Sequence, residues 1–168
     1  MQRRALLAGL LLGTLAGCGR NTGFRAEPVP AFELPHLGKA GMWSSREFGR
    51  AAVLNFWATW CGPCRQEMDS LERLHLALQD SGIAVIGISV DRDARNAEEF
   101  ILARKLTFPN LHDPESALAA RALQVRVLPT TFVISNAGNI VERVERAEDW
   151  AAPRMRERIL ELVQRRAS

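Results

Sequence analysis

With 168 residues, 47% apolar and 24% charged, the chain has the composition of one globular domain with a sizeable core, which excludes disordered, collagen-like and repeat architectures. The formal charge of +3 includes Arg3 and Arg4, in a stretch expected to be removed; without them the balance is close to neutral, and nothing global points to nucleic acid. Basic residues gather only near the C-terminal end (Arg154, Arg156, Arg158, Arg165, Arg166), where interleaved Glu157 and Glu161 predict a solvated helix face.

Residues 1–18 open with Arg3 and Arg4, continue with an apolar stretch from Ala5 to Leu15, and end in Leu15-Ala16-Gly17-Cys18. The apolar stretch is about half of the ~20 residues that a membrane-spanning helix needs, so it predicts a signal-peptide core. The last four residues resemble the lipobox of bacterial lipoproteins. That resemblance implies cleavage before Cys18 and a diacylglycerol on its sulfur, which leaves Cys61 and Cys64 as the remaining thiols. From Gly19 to Ala31 the chain is polar, carries Pro28 and Pro30, and shows no periodicity, as a linker does. The predicted organisation is a signal peptide over 1–17, a lipid-anchored linker over 18–31 and one folded domain over 32–168, held at a bacterial membrane on its periplasmic side.

Phe32 to Arg50 predicts an irregular hairpin or cap. Ala51 to Ala58 is apolar on both alternating faces and predicts a central strand; Gly62 to Gln79 predicts a helix, with Met68, Leu71, Leu74 and Leu78 at helical spacing. A second buried strand follows over Ile83–Val90, then a helix over Ala94–Arg104. Asp113-Pro114-Glu115 reads as the start of a helix that runs to Leu123. Thr130–Ser135 and Ile140–Val144 flank a turn containing Gly138-Asn139, and a last amphipathic helix carries Met155, Ile159, Leu162 and Val163. This order predicts an α/β fold with a mixed central sheet and helices on both faces.

Cys61 and Cys64, at i and i+3 across a strand-to-helix junction, suit dithiol–disulfide chemistry, although Cys-x-x-Cys is also half of many zinc sites. His36, His75 and His112 are scattered, with no ligand spacing to the cysteines, so no metal site is predicted. The Pro-x-x-x-Thr-x-x-Cys pattern of a thiol peroxidase is absent, since Leu54 and Ala58 stand seven and three residues before Cys61.

The run Asn55-Phe-Trp-Ala-Thr-Trp-Cys-Gly-Pro-Cys-Arg-Gln-Glu67, with Val127-Leu-Pro-Thr-Thr-Phe-Val-Ile134, resembles the thioredoxin fold. More narrowly, from Phe32 onward the chain is similar to membrane-anchored TlpA/ResA-like thiol-disulfide reductases of bacteria. That resemblance implies Cys61 as the attacking sulfur, its thiolate favoured by the helix N-terminus, and Cys64 as the resolving one. It implies a cis Pro129 facing the pair, and a substrate surface formed by Trp60, Gly62, Pro63, Leu128 and Thr130, with Trp57 in the core. Where thioredoxin carries a buried strand Asp this chain has Asn55, and Glu67 matches the family's acidic position; it is read as exchanging a proton with Cys64, against a plain helix-dipole or ion-pair role. Lowering a thiol pKa from ~8.5 to ~7 raises the thiolate at pH 7 about 16-fold but costs about 5-fold in nucleophilicity, so much of its value lies in the leaving group and the potential.

The function implied is a monomeric extracytoplasmic reductase of protein disulfides, apocytochrome c cysteines among them, that is re-reduced by a membrane thiol donor and uses no cofactor beyond the Cys61–Cys64 pair. An oxidase or isomerase of exported proteins, and a tethered Cu(I) metallochaperone using both thiolates, are the alternatives.

Overall fold

The computed structural model of the chain describes residues 26–48 and 51–164; the signal stretch, the lipobox and Cys18 lie outside these residues. Seven consecutive buried residues make β4 (Ala51–Trp57), the central strand. It runs parallel to β5 (Ile83–Ser89) and antiparallel to β7 (Thr130–Ile134), so the sheet is mixed. Beyond β5 lies β6 (Asn110–His112), parallel to it; beyond β7 come β8 (Asn139–Val144) and then β1 (Glu27–Pro28), both antiparallel, which completes six strands. β2 (Glu33–Pro35) and β3 (Met42–Ser44) form a separate hairpin, as the irregular cap required. Two differences from expectation appear here. Glu27 and Pro28 belong to the sheet although they fall in the expected linker, so the folded unit begins before Phe32. β6 was not anticipated, because three residues are too few to show a period.

The alternation of β4 sorts the core into two layers. Ala51, Val53 and Trp57 face one cluster with Met68, Leu71, Leu74 and Leu78 of α1 (Gly62–Leu78) and Ile159, Leu162 and Val163 of α3 (Pro153–Val163). Ala97, Phe100 and Ile101 of α2 (Ala94–Arg104) join the same layer. Ala52, Leu54 and Phe56 face the other layer, covered by Trp43 of the hairpin and by Leu118, Ala119 and Leu123. All three α-helices therefore contribute to one face, and the opposite face is covered by the hairpin and a short π-helical turn over Ala117–Ala122.

That turn corrects the helix expected from Asp113. Pro114 and Glu115 lie in a tight turn, Ser116 adopts φ 51° and helical winding starts only at Ala117. Asp113 still caps, but across the turn, accepting from the amides of Ala117 and Ala119 at 2.8 Å each.

One close approach in the sheet depends on glycine. A Cβ on Gly87 would collide with Asn110 Oδ1 and press on Phe108. Asn110 uses that oxygen to accept from the Trp57 indole at 3.1 Å, so the gap beside Gly87 houses the anchor of one of the two fully buried tryptophans.

Candidate active site

The last residue of β4 leads through a tight turn into α1, and the turn sets Cys61. The Cys61 amide donates to Ala58 O at 3.1 Å, and Cys61 takes the N-cap position in an extended conformation (φ −87°, ψ 106°). Its Sγ accepts from the Cys64 amide at 3.2 Å, and Pro63, in the first helical turn, has no amide to leave unsatisfied. A thiolate at Cys61 would thus sit against a free helix N-terminus and receive one of its N–H groups. The two sulfurs are joined in a disulfide. Cys61 retains 6% exposure and Cys64 none, so only Cys61 can be reached from solvent, as an attacking and a resolving thiol require.

The turn is held from behind by Asp91, just beyond β5. Its buried carboxylate accepts from the Thr59 amide at 3.0 Å, the Thr59 hydroxyl at 2.7 Å and the Ser89 hydroxyl at 2.8 Å. His112 Nε2 lies 2.7 Å from Asp91 O, which ties β6 to the same corner. Asp91 was missed in the sequence; an acid closing an apolar strand was the only available signal.

Glu67, one turn beyond Cys64, is buried on the sheet side of α1. One carboxylate oxygen accepts from Asn55 Nδ2 at 2.8 Å; the other accepts from the Glu148 amide at 3.0 Å and the Trp150 indole at 2.9 Å. Burial pushes its pKa above the 4.5 of an unburied glutamate; the Trp150, Glu148 and Asn55 hydrogen bonds pull the other way, and the Glu148 charge adds to the rise. The simpler expectation of a dipole-complementing or arginine-paired carboxylate fails, because all three donors are uncharged and α1 has no acid in its first turn. Asn55 also donates to Thr131 Oγ1 at 2.9 Å, and its own Oδ1 is buried without a partner. Ser70 completes the lining: its hydroxyl donates to Glu67 O at 2.7 Å and accepts from the Trp150 amide at 3.1 Å. Trp150, invisible as a site residue in the sequence, is a lone aromatic after a polar run, and that isolation was the sign of burial.

On the outward side, Cys61 lines a groove of ≈450 Å³ with Trp60, Val125, Arg126, Val127 and Leu128 among its walls. Trp60 is 70% exposed and Val127 49%, an unusual display of large apolar surface beside a reactive sulfur. The Leu128–Pro129 bond is cis, as the resemblance implied. The remaining expected substrate residues divide: Leu128 lines the groove, Gly62 and Pro63 stand at the helix start outside it, and Thr130 is fully buried, its hydroxyl donating to Val127 O at 2.7 Å. Thr130 therefore supports the groove wall from inside. Trp57 is core, as expected. A larger cavity of ≈790 Å³, walled by Lys39, Arg95, Glu98 and Phe108 among others, contains neither cysteine. Among the described residues no cluster of three or more His, Cys, Asp or Glu is placed to hold a metal ion.

Fold and cysteine pair define a thioredoxin-like protein, and the relatives it resembles carry the name thiol-disulfide oxidoreductase. The chain belongs to the AhpC/TSA family, whose sequence pattern matches residues 26–143. It is 34% identical over 125 residues to the thiol-disulfide oxidoreductase ResA of Oceanobacillus iheyensis, an alignment covering 72% of this chain and 65% of that one, just under two thirds of the relative. Identity to the ResA of Geobacillus kaustophilus is 31% over 149 residues, covering 83% and 85%. A Chlorobium tepidum structure, described as of the thiol:disulfide interchange DsbE type, superposes with a TM-score of 0.75 at 26% identity, over 83% of this chain and 97% of that one. No helix among the described residues is long and apolar enough to cross a membrane.

Proposed function

We propose that the chain is a reductase of protein disulfides that works outside the cytoplasm, tethered to a bacterial membrane by lipid on Cys18. The observation that carries the chemistry is the asymmetry of the pair: Cys61 capping α1 at the wall of an apolar groove, Cys64 wholly buried behind it. The Cys61 thiolate attacks one sulfur of a substrate disulfide; a Cys61–substrate bond forms and the other substrate sulfur leaves as thiolate. Cys64, giving its proton to Glu67, then attacks Cys61 Sγ and releases the second substrate thiolate, so two electrons pass to the substrate. Glu67 suits that proton because burial has already raised its affinity for one. No further cofactor takes part, the chain acts as a monomer, and a membrane thiol donor restores the dithiol. Cysteines of apocytochromes c are among the substrates the ResA likeness supports.

The test is capture and potential together. Cys64→Ser, expressed with its leader intact, should accumulate mixed disulfides with exported proteins through Cys61, in the membrane fraction. A reduction potential close to about −270 mV agrees with a reductase, whereas one near −120 mV makes the protein an oxidant and overturns the direction proposed. Glu67→Gln should change the pH profile of thiol alkylation; an unaltered profile removes the proton role.

A further inference from the structure

We infer that the groove beside Cys61 selects disulfides flanked by an acidic side chain, with Arg126 as the group that reads it; this rests on the exchange reaction proposed above and names its substrate class. Among the described residues Arg126 is the one charged side chain lining that groove, and it makes no hydrogen bond or ion pair. The arginines around it are committed. Arg121 pairs with Glu115, and Arg143 pairs with Glu145 while donating to Leu123 O and Gln124 O, which anchors the start of the loop that carries Arg126. Arg126 is left as an unneutralised guanidinium on a mostly apolar wall that also carries Ser116, two residues before Leu128.

The backbone there is open too. Among the described residues, the amides of Arg126, Val127 and Leu128 have no acceptor within the chain, although Val127 O is held by Thr130. An extended segment laid along this stretch can supply acceptors for those amides. Its cysteine then lies at Cys61, an apolar neighbour rests on Trp60 and Val127, and an acidic side chain on the Arg126 side meets a planar fork shaped for two carboxylate oxygens. No acid lines the groove to compete for the guanidinium or to repel such a segment.

The test uses the reduced chain and two peptides that share one disulfide-bonded cysteine context and differ only in a flanking Asp or Lys. Each variant's peptide rates are divided by its own rate with uncharged 2,2′-dithiodipyridine, which removes any change in the thiols themselves. Wild type should reduce the Asp peptide roughly fivefold faster than the Lys peptide at low ionic strength, a preference that shrinks with added salt. Arg126→Gln should bring the ratio to about one, and Arg126→Glu should invert it. A wild-type ratio of one, or a preference that survives in Arg126→Gln, overturns the assignment of Arg126 while leaving disulfide exchange intact. If neither peptide nor dithiodipyridine is reduced, the exchange reading falls and this inference with it.

Discussion

The two sides of α1 at the cysteine pair are built on opposite rules. Inward, the Glu67 carboxylate is closed off by three donors from two distant parts of the chain, β4 and the 148–150 segment, with Ser70 stitching that segment to the helix. Outward, Trp60 and Val127 stand in solvent, and Arg126 has no partner among the described residues. A buried carboxylate without donors costs several kcal/mol, so the inner side must be complete before the domain is stable. The outer side carries no such penalty, since water satisfies it until a substrate does. The inner side is structure built around a carboxyl whose proton affinity burial raises; the outer side is the surface proposed to meet substrate. Glu67→Ala should break that contrast most strongly, because it strands the Glu148 amide and the Trp150 indole and removes one of the two acceptors of Asn55 Nδ2: about 2–4 kcal/mol of stability, read as a shift in denaturant midpoint. A loss below about 0.5 kcal/mol would mean that the inner network is not structural.

Gly87→Ala attacks the same inner layer from the sheet. The new methyl displaces Asn110, freeing the Trp57 indole, at an expected cost of about 1–3 kcal/mol in thermal or denaturant unfolding. Adding Asn110→Ala should recover part of that loss by clearing the collision, which separates overpacking from a general intolerance of β5 to substitution.

The same contrast explains what could be read in the sequence. β4 and α1 were legible because burial on both faces and a repeat of 3–4 residues are local patterns, and the cysteine motif sits at their junction. The partners of Glu67 were not: Asn55 and Trp150 lie 12 and 83 positions away, and no local pattern marks a hydrogen bond between distant segments. Asp113 shows the intermediate case, where the capping residue was found but the π-helical turn it caps was not, because Ser116 adopts φ 51° with no glycine to announce it. Arg126 was overlooked since a single cation in a loop resembles any solvated residue until the groove around it is seen.

Glu67→Gln sharpens the inner side more gently than alanine. Because the folded-state pKa of Glu67 lies above 4.5, the native chain keeps a proton that the unfolded chain has lost once the pH passes that value. Stability from this group is therefore fully present below about pH 4.5 and falls as pH rises to the folded pKa, above which it is flat. The amide of the glutamine variant has no such proton to lose, so that variant should lack this decline while other carboxylates titrate unchanged. Urea midpoints across pH 4 to 8 for the two proteins check it. A parallel pair of curves would show that folding leaves the pKa of Glu67 unshifted.

Trp60→Ala has the smallest expected effect on the fold and the most selective effect on the surface. With 70% of Trp60 already exposed, its removal should leave the unfolding midpoint within about 0.5 kcal/mol of wild type. Exchange with an unfolded protein disulfide should nonetheless slow more than exchange with a small aromatic disulfide, since only the larger substrate rests on the indole while its sulfur reaches Cys61. Equal slowing of both would place Trp60 in the shaping of the Cys61 turn, alongside Asp91, and would move the boundary between the two sides of α1 outward by one residue.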